Sequence, residues 1–134
     1  MLQKINHIGI AVQSIDVVIP FYRDQLGMKF VGKEDVPAQK VRVAMLCVGE
    51  SKIELLEPLS PDSPVAKFLE KNGQGIHHVA YEVEDISAAI AKLASEGCRM
   101  IDENPRQGAH GALIAFIHPK SSHGVLTELC QPGD

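Results

Sequence analysis

HIGIAVQSID, residues His7 to Asp16, returns later in the chain as HVAYEVEDIS, His78 to Ser87. His7 aligns with His78, Val12 with Val83 and Ile15 with Ile86, at one constant offset of 71 residues. A second pair of stretches repeats in the same order. IELLEP (Ile53 to Pro58) aligns with TELCQP (Thr127 to Pro132), which sets Glu54 against Glu128 and Leu55 against Leu129, at an offset of 74. A change of three residues between the two comparisons is ordinary loop variation. The chain is therefore read as a duplicated unit, and an internal repeat of this kind decides the architecture before any single motif does.

Working outward, each copy shows the same succession. Ile5 to Val12 is short and β-branched, as a strand is. Ser14 is placed to cap a helix that runs to Gly27, with Pro20 inside it as a kink. Strands follow at Lys29 to Val36, Val41 to Val48 and Ile53 to Glu57. The proline-rich Glu57 to Pro64 is a connector, and Ser63-Pro64 opens a short helix that Gly73 ends. The second copy has a strand at Ile76 to Val83, then a helix from Asp85 to Gly97. Its last strands are expected at Cys98 to Ile101, Ala112 to His118 and Val125 to Cys130. The expected fold is α+β: two paired βαβββ modules forming a curved mixed sheet around a metal site. Module 1 covers about 1–58, the linker 59–74 and module 2 about 75–132, all within one domain of residues 1–134.

Bulk properties narrow the function. With 134 residues the chain is long enough for one domain with a core, and 45% hydrophobic with 22% charged residues excludes a disordered tail. A net charge of −4 without a Lys/Arg run argues against nucleic acid as a partner. No apolar run reaches membrane-spanning length. The start, MLQKINHIGIAV, does not read as a signal peptide, because His7 interrupts the apolar stretch. Cys47, Cys98 and Cys130 contain no CxxC pair and read as reduced thiols of a cytoplasmic protein.

The chemistry lies in the repeat. Glu128 stands in the apolar strand LTELC, where an ionised carboxylate costs several kcal/mol unless something compensates it. A lone His or Glu in a strand is more often structural than functional. Here each half carries one His on its first strand and one Glu on its last. If the halves pack about a pseudo-twofold, His7, Glu54, His78 and Glu128 supply two nitrogens and two oxygens for a divalent ion. That donor set suits nickel, cobalt, zinc, iron or manganese better than copper(I). His77 lies on the opposite face of its strand from His78 and reads as structural. There is neither a GxGxxG nor a Walker pattern.

Three segments carry a resemblance: HIGIAVQSI, the run KIELLEPLSPDSPVAKFLEKNGQGIHHVAYEV, and GAHGALIAFIHPKSSHGVLTEL. Together they cover most of the chain. They resemble the vicinal oxygen chelate superfamily and, within it, the methylmalonyl-CoA epimerases. The resemblance implies one divalent metal (cobalt, manganese, nickel or zinc) held by His7, Glu54, His78 and Glu128. It implies a CoA thioester substrate inverted at C2 through an enolate, with Glu128 as the first candidate for the proton-moving base. A homodimer is a further expectation. Gln39, His110, Lys120 and Ser121 are candidate substrate contacts, although HPKSSHG also reads as a plain polar turn. Some relatives have Gln where Glu54 stands, so this acid brings the set closer to that of glyoxalase I. Relatives can also carry an acid on the third strand, where VRVAMLC has none and Val43 occupies the place; Glu54, Gln39 or a metal-bound water are alternatives for that role. The competing readings are a glyoxalase I-like lactoylglutathione lyase and a non-catalytic small-molecule binding protein. A ring-cleaving dioxygenase fits less well, since it uses a single carboxylate ligand.

Overall fold

The computed structural model describes residues 1–133. The chain divides into two compact units, one made of His7–His77 and the other of Met1–Asn6 with His78–Asp134. The class is α+β, and both units have the same internal topology.

The His7–His77 unit is built on β1 (Leu2–Ala11), β2 (Lys29–Val36), β3 (Val41–Val48) and β4 (Ser51–Pro58). β2 pairs antiparallel with β3, β3 antiparallel with β4, and β4 parallel with β1. Helix α1 (Ile15–Pro20) covers one face. Ile15 and Ile19 pack there against Val12, Ala44, Leu46 and Leu55, with Tyr22 and Phe30 at the margin. The Ser14 hydroxyl accepts the Val17 N–H, as the cap reading requires. The helix does not continue regularly to Gly27. After Pro20 it widens into a π-helical turn, Phe21–Gln25, in which Leu26 N–H donates to the Phe21 carbonyl. Proline has no N–H to give and crowds the preceding turn, so the chain continues in the wider register. Helix α2 (Pro64–Asn72) starts at Ser63, whose hydroxyl accepts the Ala66 N–H at 2.9 Å, and lies against β4.

The other unit repeats the plan with β5 (Gly75–Val83), β6 (Arg106–Gln107), β7 (Leu113–Ile117) and β8 (Thr127–Gln131). β6 pairs antiparallel with β7, β7 antiparallel with β8, and β8 parallel with β5. Helix α3 (Ile86–Ser95) covers one face, where Ile86, Ala89 and Ile90 pack on Val83, Ala115, Ile117 and Leu129. Asp85 caps it through the Ala88 N–H at 3.1 Å.

One strand expectation is corrected. Cys98 to Ile101 is not a strand: it makes a single bridge, Met100 to Ile117, and the short strand beside β7 is Arg106–Gln107. The cause is Asp102. Its carboxylate accepts the Phe116 N–H at 2.9 Å and pairs with Arg106, while Ile101 and Asp102 N–H groups both turn to the Phe116 carbonyl. A side chain thus occupies the ladder position that a strand would have used. The last strand also begins two residues later than expected, because Val125 belongs to the preceding turn. No helix among the described residues is long and apolar enough to cross a membrane.

Candidate metal centre

The register explains how each unit brings its His and Glu together. On β1 and β4, Gly9 pairs with Glu54; on β5 and β8, Ala80 pairs with Glu128. Each Glu therefore lies opposite the residue two beyond its His. Residues two apart on a strand share a face, so imidazole and carboxylate meet. His7 Nδ1 lies 3.3 Å from Glu54 Oε2, and His78 Nε2 lies 3.2 Å from Glu128 Oε1. The duplication seen in the sequence is thus a duplication of geometry.

Burial separates these four from ordinary strand residues. Among the described residues, the buried polar or charged side chains are Asn6, His7, Glu54, Ser63, His78 and Glu128. Ser63 is the α2 cap, and Asn6 donates to Glu82 at 2.9 Å. The remaining four are the two His–Glu pairs. His7 is 3% exposed, Glu54 8%, His78 4% and Glu128 3%. Such positions are expensive for ionisable groups without a strong compensating interaction.

The donors fit a divalent cation. A charge-assisted N–H···O bond is typically about 2.7–2.9 Å long, shorter than either contact. Two donors each about 2.1 Å from one ion lie about 3.0 Å apart at adjacent octahedral positions and about 3.4 Å apart in a tetrahedron. The observed 3.2 and 3.3 Å fall between those values. Imidazole nitrogen and carboxylate oxygen are the borderline-to-hard ligands that such ions take.

The surroundings of each pair are apolar. The Glu128-bearing face of its unit is walled by Ala80, Ala112, Ile114, Phe116 and the buried thiol Cys130, with Leu126 beside them. Phe116 pairs with Glu128 across β7 and β8 and meets the His78 ring edge-on at 5.4 Å. In the other unit Met45 pairs with Glu54. His77, on the opposite strand face from His78, packs edge-on against Phe68 at 5.1 Å. No disulfide joins Cys47, Cys98 and Cys130.

The other sequence candidates stand on loops. Gln39 ends a 3₁₀ turn, Pro37–Gln39, and is half-buried. His110 is exposed in the 3₁₀ turn Ala109–Gly111 with φ of 54°. Lys120 is exposed, and its N–H donates to His118 Nδ1 at 3.0 Å. Partial burial and the nearby charges of Arg99 and Lys120 hold the His118 imidazole below its ordinary pKa. The Ser121 hydroxyl accepts the Arg99 N–H at 2.8 Å, which ties the HPKSSHG turn to the segment after α3.

Two residues behind the pairs escaped sequence reading. Glu57 accepts the Ile15 N–H at 2.8 Å, and Gln131 accepts the Ile86 N–H at 2.9 Å. Both follow the buried Glu of their unit by three residues, and both hold the first turn of the unit's helix to the strand carrying that Glu. Arg42 bridges Glu57 and Asp35. The signal was present in the repeat itself, where EP at 57–58 aligns with QP at 131–132.

Residues 6–116 match the Glyoxalase/Bleomycin resistance protein/Dioxygenase superfamily, and the chain belongs to it. Within that superfamily it is similar to proteins named as methylmalonyl-CoA epimerases. It is 44% identical over 98% of its length to the ethylmalonyl-CoA/methylmalonyl-CoA epimerase of Cereibacter sphaeroides, covering 99% of that protein. A Streptomyces coelicolor methylmalonyl-CoA epimerase variant, solved in complex with 2-nitronate-propionyl-CoA, superposes with a TM-score of 0.96 at 42% identity, over 99% of this chain and 96% of that one. It is also 48% identical to the uncharacterized protein YqjC of Bacillus subtilis, over 98% of this chain and 94% of that one.

Proposed function

We propose that this chain is a metal-dependent isomerase that interconverts the 2R and 2S forms of methylmalonyl-CoA. The observation that carries the reading is the repeated, buried His–Glu pair at 3.2 and 3.3 Å in a chain 44% identical to a named epimerase. In this reading the two units are halves of one functional domain, and His7, Glu54, His78 and Glu128 hold a single divalent ion (cobalt, manganese, nickel or zinc). When bound, such an ion supplies Lewis-acid stabilisation of the negative charge that develops on the substrate oxygens.

The protein's own task is to place C2 and move its proton. The apolar walls around Glu128 exclude water from the reacting carbon. Glu128 lies among them and is the candidate to take or return the C2 proton, since a positioned carboxylate performs general acid–base catalysis. Gln39, His110, Lys120 and Ser121 are the candidate contacts for the acyl carboxylate or the CoA arm. A cytoplasmic homodimer is the setting that the reduced thiols and the family resemblance support.

Deuterium wash-in tests the reaction. Metal-loaded protein in heavy water is expected to place label at C2 of methylmalonyl-CoA, seen as a one-mass-unit shift. Absence of label with a stoichiometrically loaded protein refutes the epimerase reading. Glu54, an acid in the ligand set, favours one second reading: isomerisation of a glutathione hemithioacetal by the same proton chemistry. Consumption of the methylglyoxal–glutathione adduct in a parallel assay separates the two.

A further inference from the structure

A methylmalonyl thioester carries a free carboxylate beside the carbon that reacts, and a fixed positive charge is the natural group to recognise it. The strand register of the His7–His77 unit locates one. Lys52 on β4 pairs with His7 on β1, and Lys52 and Glu54 are two residues apart on the same strand. Paired residues share a sheet face, and so do residues two apart on one strand. Lys52 therefore projects from the face that carries His7 and Glu54. Ile53, between them, lies on the other face and packs against the α1 core that contains Leu55.

The other lysines and arginines of this unit are engaged or placed elsewhere. Arg23 pairs with Asp24, Lys33 with Asp16, Lys40 with Asp62, and Arg42 with Asp35 and Glu57. Lys67 and Lys71 are exposed on α2, and Lys29 is exposed on the edge strand β2. Lys52 is the half-buried lysine of the unit, and no carboxylate among the described residues pairs with it.

Reach and charge identify the anion. Strand rise puts the Cα atoms of Lys52 and Glu54 about 6.5 Å apart, and strand spacing puts those of Lys52 and His7 about 5 Å apart. A lysine stem spans roughly 6 Å at standard bond lengths, so its ammonium reaches a group bound beside His7 and Glu54. The CoA phosphates hang at the far end of the pantetheine arm, roughly 15 Å from the thioester. The acyl carboxylate is the anion at the matching distance. In the ligand set proposed above, Glu54 and Glu128 already cancel the charge of a divalent ion, which weakens its pull on a further carboxylate. A lysine ammonium on the same face restores that pull as a compact point charge with three donors.

We propose that Lys52 binds the free carboxylate of the acyl group and selects 2-substituted malonyl thioesters over monocarboxylic acyl thioesters, a proposal that rests on the epimerase reading above. The contact is a charge-assisted hydrogen bond. It forms in the bound substrate and persists as the enolate develops, because the reaction leaves the carboxylate unchanged. Lys52 therefore acts on binding and moves no proton of C2. Removing a contact made equally before and during the reaction raises KM more than it lowers kcat.

Lys52→Met in the full-length, metal-loaded protein tests this assignment, since methionine keeps most of the stem and removes the charge. KM for methylmalonyl-CoA should rise about 10–100-fold, as loss of one hydrogen bond to a charged group gives, with kcat changed less than about threefold. Inhibition by propionyl-CoA, which has the phosphates and lacks the carboxylate, should be unchanged. Malonate should bind the metal-loaded variant more weakly than wild type in calorimetry, by a similar factor. Bound metal and the melting curve should match wild type, and Lys52→Arg should recover part of the affinity. A KM within about twofold of wild type overturns the assignment. So does a matching loss of affinity for propionyl-CoA, which moves Lys52 to the phosphates, or a loss of bound metal. If wild-type protein washes in no label at C2, the epimerase reading fails, and malonate alone then decides Lys52. Equal malonate affinities in variant and wild type overturn the carboxylate contact, and a weaker variant upholds it.

Discussion

The two helix clamps make a prediction that the repeat itself controls. Ile15 and Ile86 are each 1% exposed, and their N–H groups end on Glu57 and Gln131 at 2.8 and 2.9 Å. First-turn N–H groups of a helix have no intrahelical partner, so each depends on its side-chain acceptor. Glu57→Ala removes a hydrogen bond to a charged acceptor, worth about 1.5–3 kcal/mol, and leaves a buried donor unsatisfied. The expected loss of stability is about 2–3 kcal/mol. Gln131→Ala removes a neutral acceptor and leaves the equivalent donor stranded, for about 1–3 kcal/mol. Glu57→Gln keeps an acceptor in place, as the second unit does naturally, and is expected to cost under about 1 kcal/mol. Urea unfolding followed by circular dichroism reads all three, with a lowered midpoint at constant slope. Equal losses for Glu57→Gln and Glu57→Ala would refute the reasoning, because the contribution would then lie in the charge facing Arg42 and not in the N–H acceptor.

The remaining predictions concern the site, the core and the surface. Cobalt or manganese at about 100 times its dissociation constant should stabilise the native protein by about 2.7 kcal/mol. For a chain of this size that is a rise in melting temperature of roughly 8–14 °C; His78→Ala should abolish the rise, and an unchanged rise in that variant removes His78 from the ligand set. Leu55 and Leu129, both essentially unexposed and matched by the repeat, should each cost about 2–5 kcal/mol on truncation to Ala in calorimetry. A cost near zero at either position refutes its place in the core. The hydrogen bonds from Lys40 and Ser60 lower the Asp62 carboxyl pKa to about 2, against an unperturbed 3.8. Its stabilisation is therefore fully present above pH 3.8 and is lost as pH falls through 2. Lys40→Ala should move the carboxyl titration up toward its ordinary range by NMR, and an unmoved titration denies the Lys40 contribution.

Much of this molecule is legible in the chain because its determinants are local or repeated. Ser14, Ser63 and Asp85 announce helix starts by being short acceptors before apolar periodicity, and all three accept the N–H expected of a cap. The two His–Glu pairs were legible because duplication turns two weak signals into one strong one. What failed was set by non-local pairing. The strand expected at Cys98 to Ile101 has suitable residues, yet Asp102, nearby in sequence, occupies the Phe116 N–H that a ladder would need. The widened turn after Pro20 depends on which carbonyl the following N–H groups reach, and a helical pattern does not encode that.

The register also shows why duplication suits this chemistry. One unit supplies one imidazole and one carboxylate, held at the spacing of adjacent ligands by a parallel strand pair. The second unit repeats the same His-to-Glu register without a new strand design. The differences between the copies then mark where function diverged from scaffolding. Glu57 and Gln131 differ, yet both accept a helix N–H, so that position constrains only the acceptor. The edge strand β2 runs from Lys29 to Val36, whereas its counterpart in the second unit is shortened to Arg106–Gln107, so the repeat conserves the strands that carry His and Glu and lets the edge vary.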